Sequence, residues 1–317
     1  MIKKKILIID DMHLSILPLL EKLDFEVVYL PDIQRNEIFL ELKDIFGIII
    51  RSKTKIDEEF LNHAQKLAFV ARAGAGLDLI DVDLAKKKNI HLLNAPEGNR
   101  DAVAEHTLGL LLNVLNKINL SDKEIRNKIW QREKNRGFEI KNKTIGIIGF
   151  GNIGQQVAQR LSSFECKILA YDKNKKDFSN TKAKEATLLE IFEQTDILTL
   201  HIPLDKENFG WINKDFLARF KKPIWLINTA RGEILSLEAL IEGLESGKII
   251  GAGLDVLENE KLNTLSVSQQ KNFEYLSHSH QVILTPHVAG WTYESYQRIN
   301  EVLVEKIDNL MKEKFSP

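Results

Sequence analysis

Short apolar runs separated by charged, amphipathic stretches recur along most of the 317-residue chain. That is the pattern of strands buried on both faces of a parallel sheet, with helices as the crossovers between them. Residues 6–9, 25–30, 47–50, 69–71 and 91–94 read as strands, and the stretches at 14–23, 38–42, 58–63 and 82–88 as intervening helices. They make one small α/β unit. Residues 102–115, rich in Leu and Ala and preceded by Pro96 and Gly98, predict a long buried helix leading to a second unit. There, apolar runs at 145–148, 168–171, 197–200, 224–228, 251–254 and 282–284 predict another parallel sheet, with a helix at 237–245. The amphipathic stretch 293–314 has no strand after it and is expected to fold back on the first unit.

The segment KTIGIIGFGNIGQQVAQRLSSFECKILAYD gives this alternation its chemistry. An apolar strand runs into Gly149, Gly151, Asn152, Ile153 and Gly154, a helical pattern follows, and a second strand closes on Asp172. This is the spacing of a dinucleotide-binding unit, in which the glycines permit a tight turn, close backbone approach to a pyrophosphate and close helix packing. The helix N-terminus supplies amide donors, and Asp172 would accept hydrogen bonds from the ribose hydroxyls. The fold expected is α/β with two parallel-sheet domains, one of them a Rossmann dinucleotide-binding domain. Polar residues at the strand ends, namely His201, Asn228 to Arg231, Asp255 and Thr285 to His287, are candidates to face one ligand crevice.

Composition narrows the partners. Forty-four Lys and Arg nearly balance 45 Asp and Glu, so no overall field draws the chain to nucleic acid or an anionic membrane. The apolar core of MIKKKILIID is too short for a signal peptide, and no run reaches membrane-spanning length, so a cytoplasmic protein is expected. Cys166, the single cysteine, cannot form an internal disulfide and reads as a small buried residue. No motif suggests a metal.

Seven ordered motifs carry a resemblance across essentially the full length: RAGAGLDLID (72–81), NAPEGN (94–99), GIIGFGNIG (146–154), HIPL (201–204), INTARGEI (227–234), GAGLDV (251–256) and TPHVAGWT (285–292). The chain resembles the D-isomer-specific 2-hydroxyacid dehydrogenase family. RSKT (51–54), RAGAG and WQREKNRG (130–137) look most like the phosphoglycerate dehydrogenase branch, in a short form without an appended regulatory domain. The resemblance implies a Rossmann dinucleotide-binding domain over residues 100–287, inserted into a smaller flavodoxin-like substrate domain of residues 1–99 and 288–317. It also implies NAD as cofactor, a 2-hydroxy or 2-oxo acid as substrate and a homodimer, with oxidation of 3-phosphoglycerate in serine synthesis as the reaction. Glyoxylate or hydroxypyruvate reduction is the alternative within the family, and a non-catalytic, NAD-sensing corepressor-like protein is the alternative outside enzymes.

The family's catalytic trio maps onto Arg231, Glu260 and His287. Reduction of a 2-oxo acid needs a cation on carboxylate and carbonyl, an acid for the forming alkoxide, and a partner for that acid. Arg231, His287 and Glu260 have those characters. Lys261 stands where the family usually has proline, and Glu258, two residues upstream, is the alternative histidine partner. Cofactor contacts are implied for Gly149, Gly151, Asn152, Ile153, Gly154, Asp172, His201, Pro203, Thr229, Asp255 and Gly290. Substrate contacts are implied for Arg51, Arg72, Ala73, Gly74, Ala75, Gly76 and Asn99, with Arg132 reaching across a dimer; Arg51 and Arg72 resemble phosphate-gripping arginines. The segment 259–280 is longer and more polar than a strand connection needs, and is compatible with a lid, a dimer arm or a solvated loop.

Overall fold

A computed structural model describes residues 3–315. The chain divides into two units, residues 1–100 with 291–317 and residues 101–290, so the second is inserted into the first.

The smaller unit carries β1 (Lys5–Ile8), α1 (Ile16–Glu21), β2 (Glu26–Tyr29), α2 (Arg35–Glu41), β3 (Ile45–Ile50), α3 (Glu58–His63), β4 (Phe69–Arg72), α4 (Val82–Lys87) and β5 (His91–Asn94). Its sheet is parallel throughout, in the order β2-β1-β3-β4-β5. This is the flavodoxin order. Ile48, Ile49 and Ile50 are fully buried, as a strand covered on both faces requires. α5 (Pro96–Asn116) then carries the chain into the second unit, and the chain returns to the first through α12 (Tyr293–Lys314). Leu303, Val304, Ile307 and Leu310 of α12 join Ile16 and Leu20 of α1 in one core of the smaller unit.

The larger unit holds α6 (Ile118–Arg126), β6 (Thr144–Ile148), α7 (Asn152–Leu161), β7 (Lys167–Tyr171), β8 (Lys184–Glu185), α8 (Leu188–Gln194), β9 (Ile197–Leu200), α9 (Lys214–Ala218), β10 (Ile224–Asn228), α10 (Leu237–Glu245), β11 (Ile249–Leu254), α11 (Val267–His278) and β12 (Val282–Leu284). Its seven strands are parallel, ordered β12-β11-β10-β9-β6-β7-β8. The order reverses at β6 and β9, which is the switch point where doubly wound sheets bind ligands.

The segment 259–280, left open as a lid, an arm or a loop, forms a short 3₁₀ turn and then α11. Ser266 and Gln269 close a capping box at its start, and Leu276 is buried in the core of the larger unit. Cys166 directly precedes β7. It is partly buried, and its Sγ donates to Leu161 O at 3.4 Å.

Candidate active site

Gly149 and Gly151, between β6 and α7, are needed for different reasons. At Gly149, with φ +94°, a Cβ would lie 2.4 Å from His201 O, so the fold itself demands glycine. At Gly154 a Cβ would sit 2.1 Å from Gly149 O, which would force α7 away from the turn. At Gly151 a Cβ would meet nothing within 4 Å. The fold places no demand there. A glycine facing open space at the N-terminus of a ten-residue helix fits close backbone approach by a diphosphate.

Beside this turn lies a cavity of ≈ 340 Å³ lined by Gly149, Gly151, Asp172, His201 and Pro203, together with Lys173, Glu207, Asn208 and Trp211. It is large enough for the nucleoside end of a dinucleotide. Asp172 Oδ2 accepts from Phe150 N at 2.8 Å, and Oδ1 accepts from Asn174 N at 2.9 Å and Lys175 N at 3.1 Å. The carboxylate thus ties β7 to the glycine turn while keeping further lone pairs for hydroxyl donors. Lys173 is paired with Glu207, and Lys175 Nζ donates to Phe150 O at 2.9 Å. Both ammonium groups thus have a partner in this structure. Burial pushes the His201 imidazole down to about 3, so it is neutral. Its Nε2 bonds Thr199 Oγ1 at 2.9 Å, and its Nδ1 is buried without a partner among the described residues.

His287 Nδ1 lies 2.8 and 2.9 Å from the two oxygens of Glu260, leaving Nε2 for another partner. Glu258 is committed elsewhere: its Oε1 accepts from Leu237 N at 2.7 Å, at the start of α10. The His287 backbone has φ +54°, an unfavourable left-handed conformation for a residue with a side chain. Asp255 holds it there. Its carboxylate, 1% exposed, accepts from Thr285 Oγ1 at 2.5 Å, Val288 N at 3.0 Å and Ala289 N at 2.8 Å, while its carbonyl accepts from His287 N at 2.8 Å. Burial opposes that charge, but hydrogen bonds from His106, Thr285, Ala289 and Val288 keep the carboxyl below its ordinary range. Asp255 was expected to meet the cofactor; the contacts observed for it are those that pin the His287 turn. Thr229 likewise turns its hydroxyl to Thr107 Oγ1 at 2.9 Å.

Arg231 follows β10 in a loop fixed by buried Asn228, whose Oδ1 accepts from Ala230 N at 3.0 Å and whose Nδ2 donates to Arg231 O at 3.0 Å. Gly232 then packs on the chain beyond β11, where a Cβ would lie 1.9 Å from Leu257 O. One backbone contact therefore joins the Arg231 loop to the segment that leads to Glu260. Arg132 stands exposed after α6, with no hydrogen bond to Arg231, Glu260 or His287 among the described residues. Asn152 opens α7, Ile153 follows it, and Gly290 ends the unit after the His287 turn.

In the smaller unit, Arg51 follows β3 and Arg72 ends the neighbouring β4, with Ile50 and Arg72 in register. Arg72 Nε donates to Arg51 O at 3.1 Å. The Arg72 guanidinium lies over Gly74, where a Cβ would be 1.9 Å from Nη1. Gly74 has φ +143° and turns the loop so that the amides of Gly74, Ala75 and Gly76 find no acceptor among the described residues, whereas the Gly74 and Ala75 carbonyls are bonded by Ala95 N and Asn94 Nδ2. Ala73 is buried beneath this loop, and Asn99 Oδ1 on α5 is buried without a described partner. Two features had no counterpart in the sequence reading. They are the Lys173–Glu207 pair and an aromatic contact of Arg51 with Trp291, both joining positions far apart in the chain.

Residues 108–289 match the family described as D-isomer specific 2-hydroxyacid dehydrogenase, NAD binding domain. The D-3-phosphoglycerate dehydrogenase of Archaeoglobus fulgidus is 32% identical over 97% of this chain, which spans 57% of that protein. The hydroxypyruvate reductase of Thermotoga maritima is 36% identical, over 87% of this chain and 88% of that protein. Among solved structures, D-lactate dehydrogenase from Aquifex aeolicus, complexed with NAD and lactic acid, superposes with a TM-score of 0.82 at 28% identity, covering 98% of this chain and 96% of that one. With these similarities and an NAD-binding domain built on the glycine turn, this chain belongs to the D-isomer-specific 2-hydroxyacid dehydrogenase family.

Proposed function

We propose that the protein is an NAD-dependent dehydrogenase that interconverts 3-phosphoglycerate and 3-phosphohydroxypyruvate, the step that opens serine synthesis. The observation that carries this reading is that Arg51 and Arg72 stand at adjacent strand ends of the smaller unit, with Arg72 Nε donating to the Arg51 carbonyl, since two arginines so placed suit a dianionic phosphate. The loop of Ala73, Gly74, Ala75 and Gly76 would offer its amides to the carboxylate. When bound, NAD supplies or takes the hydride. Arg231 would fork onto the carboxylate and carbonyl oxygens. His287 Nε2 would give a proton to the carbonyl oxygen on reduction and take it back on oxidation, with Glu260 holding Nδ1 and so the ring's orientation.

Hydroxypyruvate reduction is the second reading, favoured by the closer match in length and identity to the Thermotoga enzyme. NADH oxidation with phosphohydroxypyruvate, hydroxypyruvate, glyoxylate and 2-oxoglutarate separates the two. The first reading expects kcat/KM for phosphohydroxypyruvate to exceed that for hydroxypyruvate by tenfold or more, at roughly 1.5–3 kcal/mol for each charge-assisted hydrogen bond. Equal values would favour the second. Ile125, Ile129 and Trp130 expose apolar surface, Trp130 to 83%, which supports a homodimer. A cytoplasmic location goes with the same reading, and the free thiol of Cys166 would persist there.

The cofactor assignment makes its own prediction. Gly151→Ala should leave Tm within about 2 °C of wild type, because its Cβ meets no protein atom, yet weaken NADH binding in a fluorescence titration by about tenfold. A large drop in Tm with unchanged NADH affinity would mean that the turn is structural.

A further inference from the structure

Arg51 is held more firmly than an exposed loop arginine needs to be. Buried Asp10 grips its backbone, with Oδ2 accepting from Arg51 N at 2.7 Å and Oδ1 accepting from Lys53 N at 3.1 Å. Its guanidinium carbon lies 3.6 Å from the centroid of the Trp291 ring and 5.8 Å from that of Tyr296. No carboxylate pairs with it among the described residues. The aromatic pair is itself built by the start of α12. Thr292 is the N-cap, in a capping box with Ser295, so Trp291 just before it and Tyr296 at the fourth helical position form a hydrophobic staple, their ring centroids 4.7 Å apart. Tyr296 is fixed in turn by its hydroxyl, which donates to Asp11 Oδ2 at 2.9 Å. Burial, then that hydrogen bond, pushes the Tyr296 phenol upward, so it stays a donor.

We propose that Trp291 and Tyr296 form an aromatic wall that positions Arg51 to grip the phosphate monoester of the substrate, an inference that rests on the phosphate reading above. Stacking occupies the flat face of a guanidinium and leaves its N–H edge free, and that edge is what forks onto an oxyanion. A flexible arginine gives up substantial rotamer freedom on binding an anion, and a stacked one has given up much of it already. Trp291 and Tyr296 therefore act through Arg51 and touch no reacting atom.

The test measures kcat and KM separately for phosphohydroxypyruvate and hydroxypyruvate in the wild type, Arg51→Ala, Trp291→Ala and Trp291→Phe, with Tm for each. Arg51→Ala should lower the preference for the phosphorylated substrate by about tenfold to a hundredfold. Trp291→Ala should raise KM for phosphohydroxypyruvate roughly threefold to thirtyfold, the range of a cation–π contact, with little change in kcat. Trp291→Phe, which keeps a ring, should restore most of the loss. If Arg51→Ala shifts the preference and Trp291→Ala does not, the wall is overturned while the phosphate reading stands. If Trp291→Ala harms both substrates equally, its role is structural and the inference falls. If Arg51→Ala itself leaves the preference unchanged, the phosphate reading fails and the inference fails with it.

Discussion

His287→Ala is expected to lower turnover by about 100- to 10,000-fold, the usual worth of a positioned general acid, while NADH affinity stays near that of the wild type. The geometry behind this is specific. Glu260 engages Nδ1 through both oxygens, and the backbone of His287 is kept in a left-handed conformation by the contacts of Asp255 with its turn. A conformation that opposes local preference, yet is fixed by several independent hydrogen bonds, is a common mark of a functional site. The two candidate glutamates can be told apart. Glu260→Gln retains a partner for Nδ1 but removes its charge, so kcat should fall with KM little changed. Glu258→Ala removes the acceptor of Leu237 N and should cost about 1 kcal/mol of stability without lowering kcat. The opposite pairing of results, kcat lowered by Glu258→Ala and untouched by Glu260→Gln, would mean that Glu260 is not the imidazole's partner. Full turnover by His287→Ala would remove it from the chemistry altogether.

The parts of this fold that were legible in the sequence are those whose signal is local. β10 is apolar up to its last residue, Asn228, because both faces of its sheet are covered, and its end residues are those expected from the sequence. The glycine turn was legible because its three glycines stand at fixed spacing, two demanded by the fold and one facing open space. α11 was missed as a helix because only Leu276 on it is buried, so its polar sequence shows little apolar periodicity; Ser266 and Gln269 held the one available sign. β8 is two residues, Lys184 and Glu185, at the end of the sheet, too short and too charged to be seen. The work of Asp255 could not be read at all. Whether a carboxylate at a strand end faces a ligand or the next turn depends on how Thr285, Val288 and Ala289 pack around it. Pairings such as Lys173 with Glu207 and Arg51 with Trp291 are of the same kind, since no spacing rule connects them.

Arg231→Lys is expected to lower kcat/KM for 2-oxo acids by about tenfold to a hundredfold, and Arg231→Ala by about 100- to 10,000-fold. The difference follows from geometry rather than charge. An arginine that forks onto two oxygens makes two charge-assisted hydrogen bonds of roughly 1.5–3 kcal/mol each, and lysine keeps the charge as a point without the fork. The loop is organised for such a role before any ligand arrives. Buried Asn228 bonds Ala230 N and Arg231 O, and Gly232 sits so close to Leu257 that even a methyl group would push the loop away. A backbone fixed in this way leaves only the side chain, whose Nη1 donates to Ala230 O at 2.7 Å, to place when negative charge develops on the carbonyl oxygen, so its loss should fall on kcat as well as KM. Added guanidinium ion should restore part of the activity of Arg231→Ala, by supplying the missing planar donor to the space it leaves. Wild-type kcat/KM in Arg231→Lys would show that a point charge suffices there and that the fork is not used.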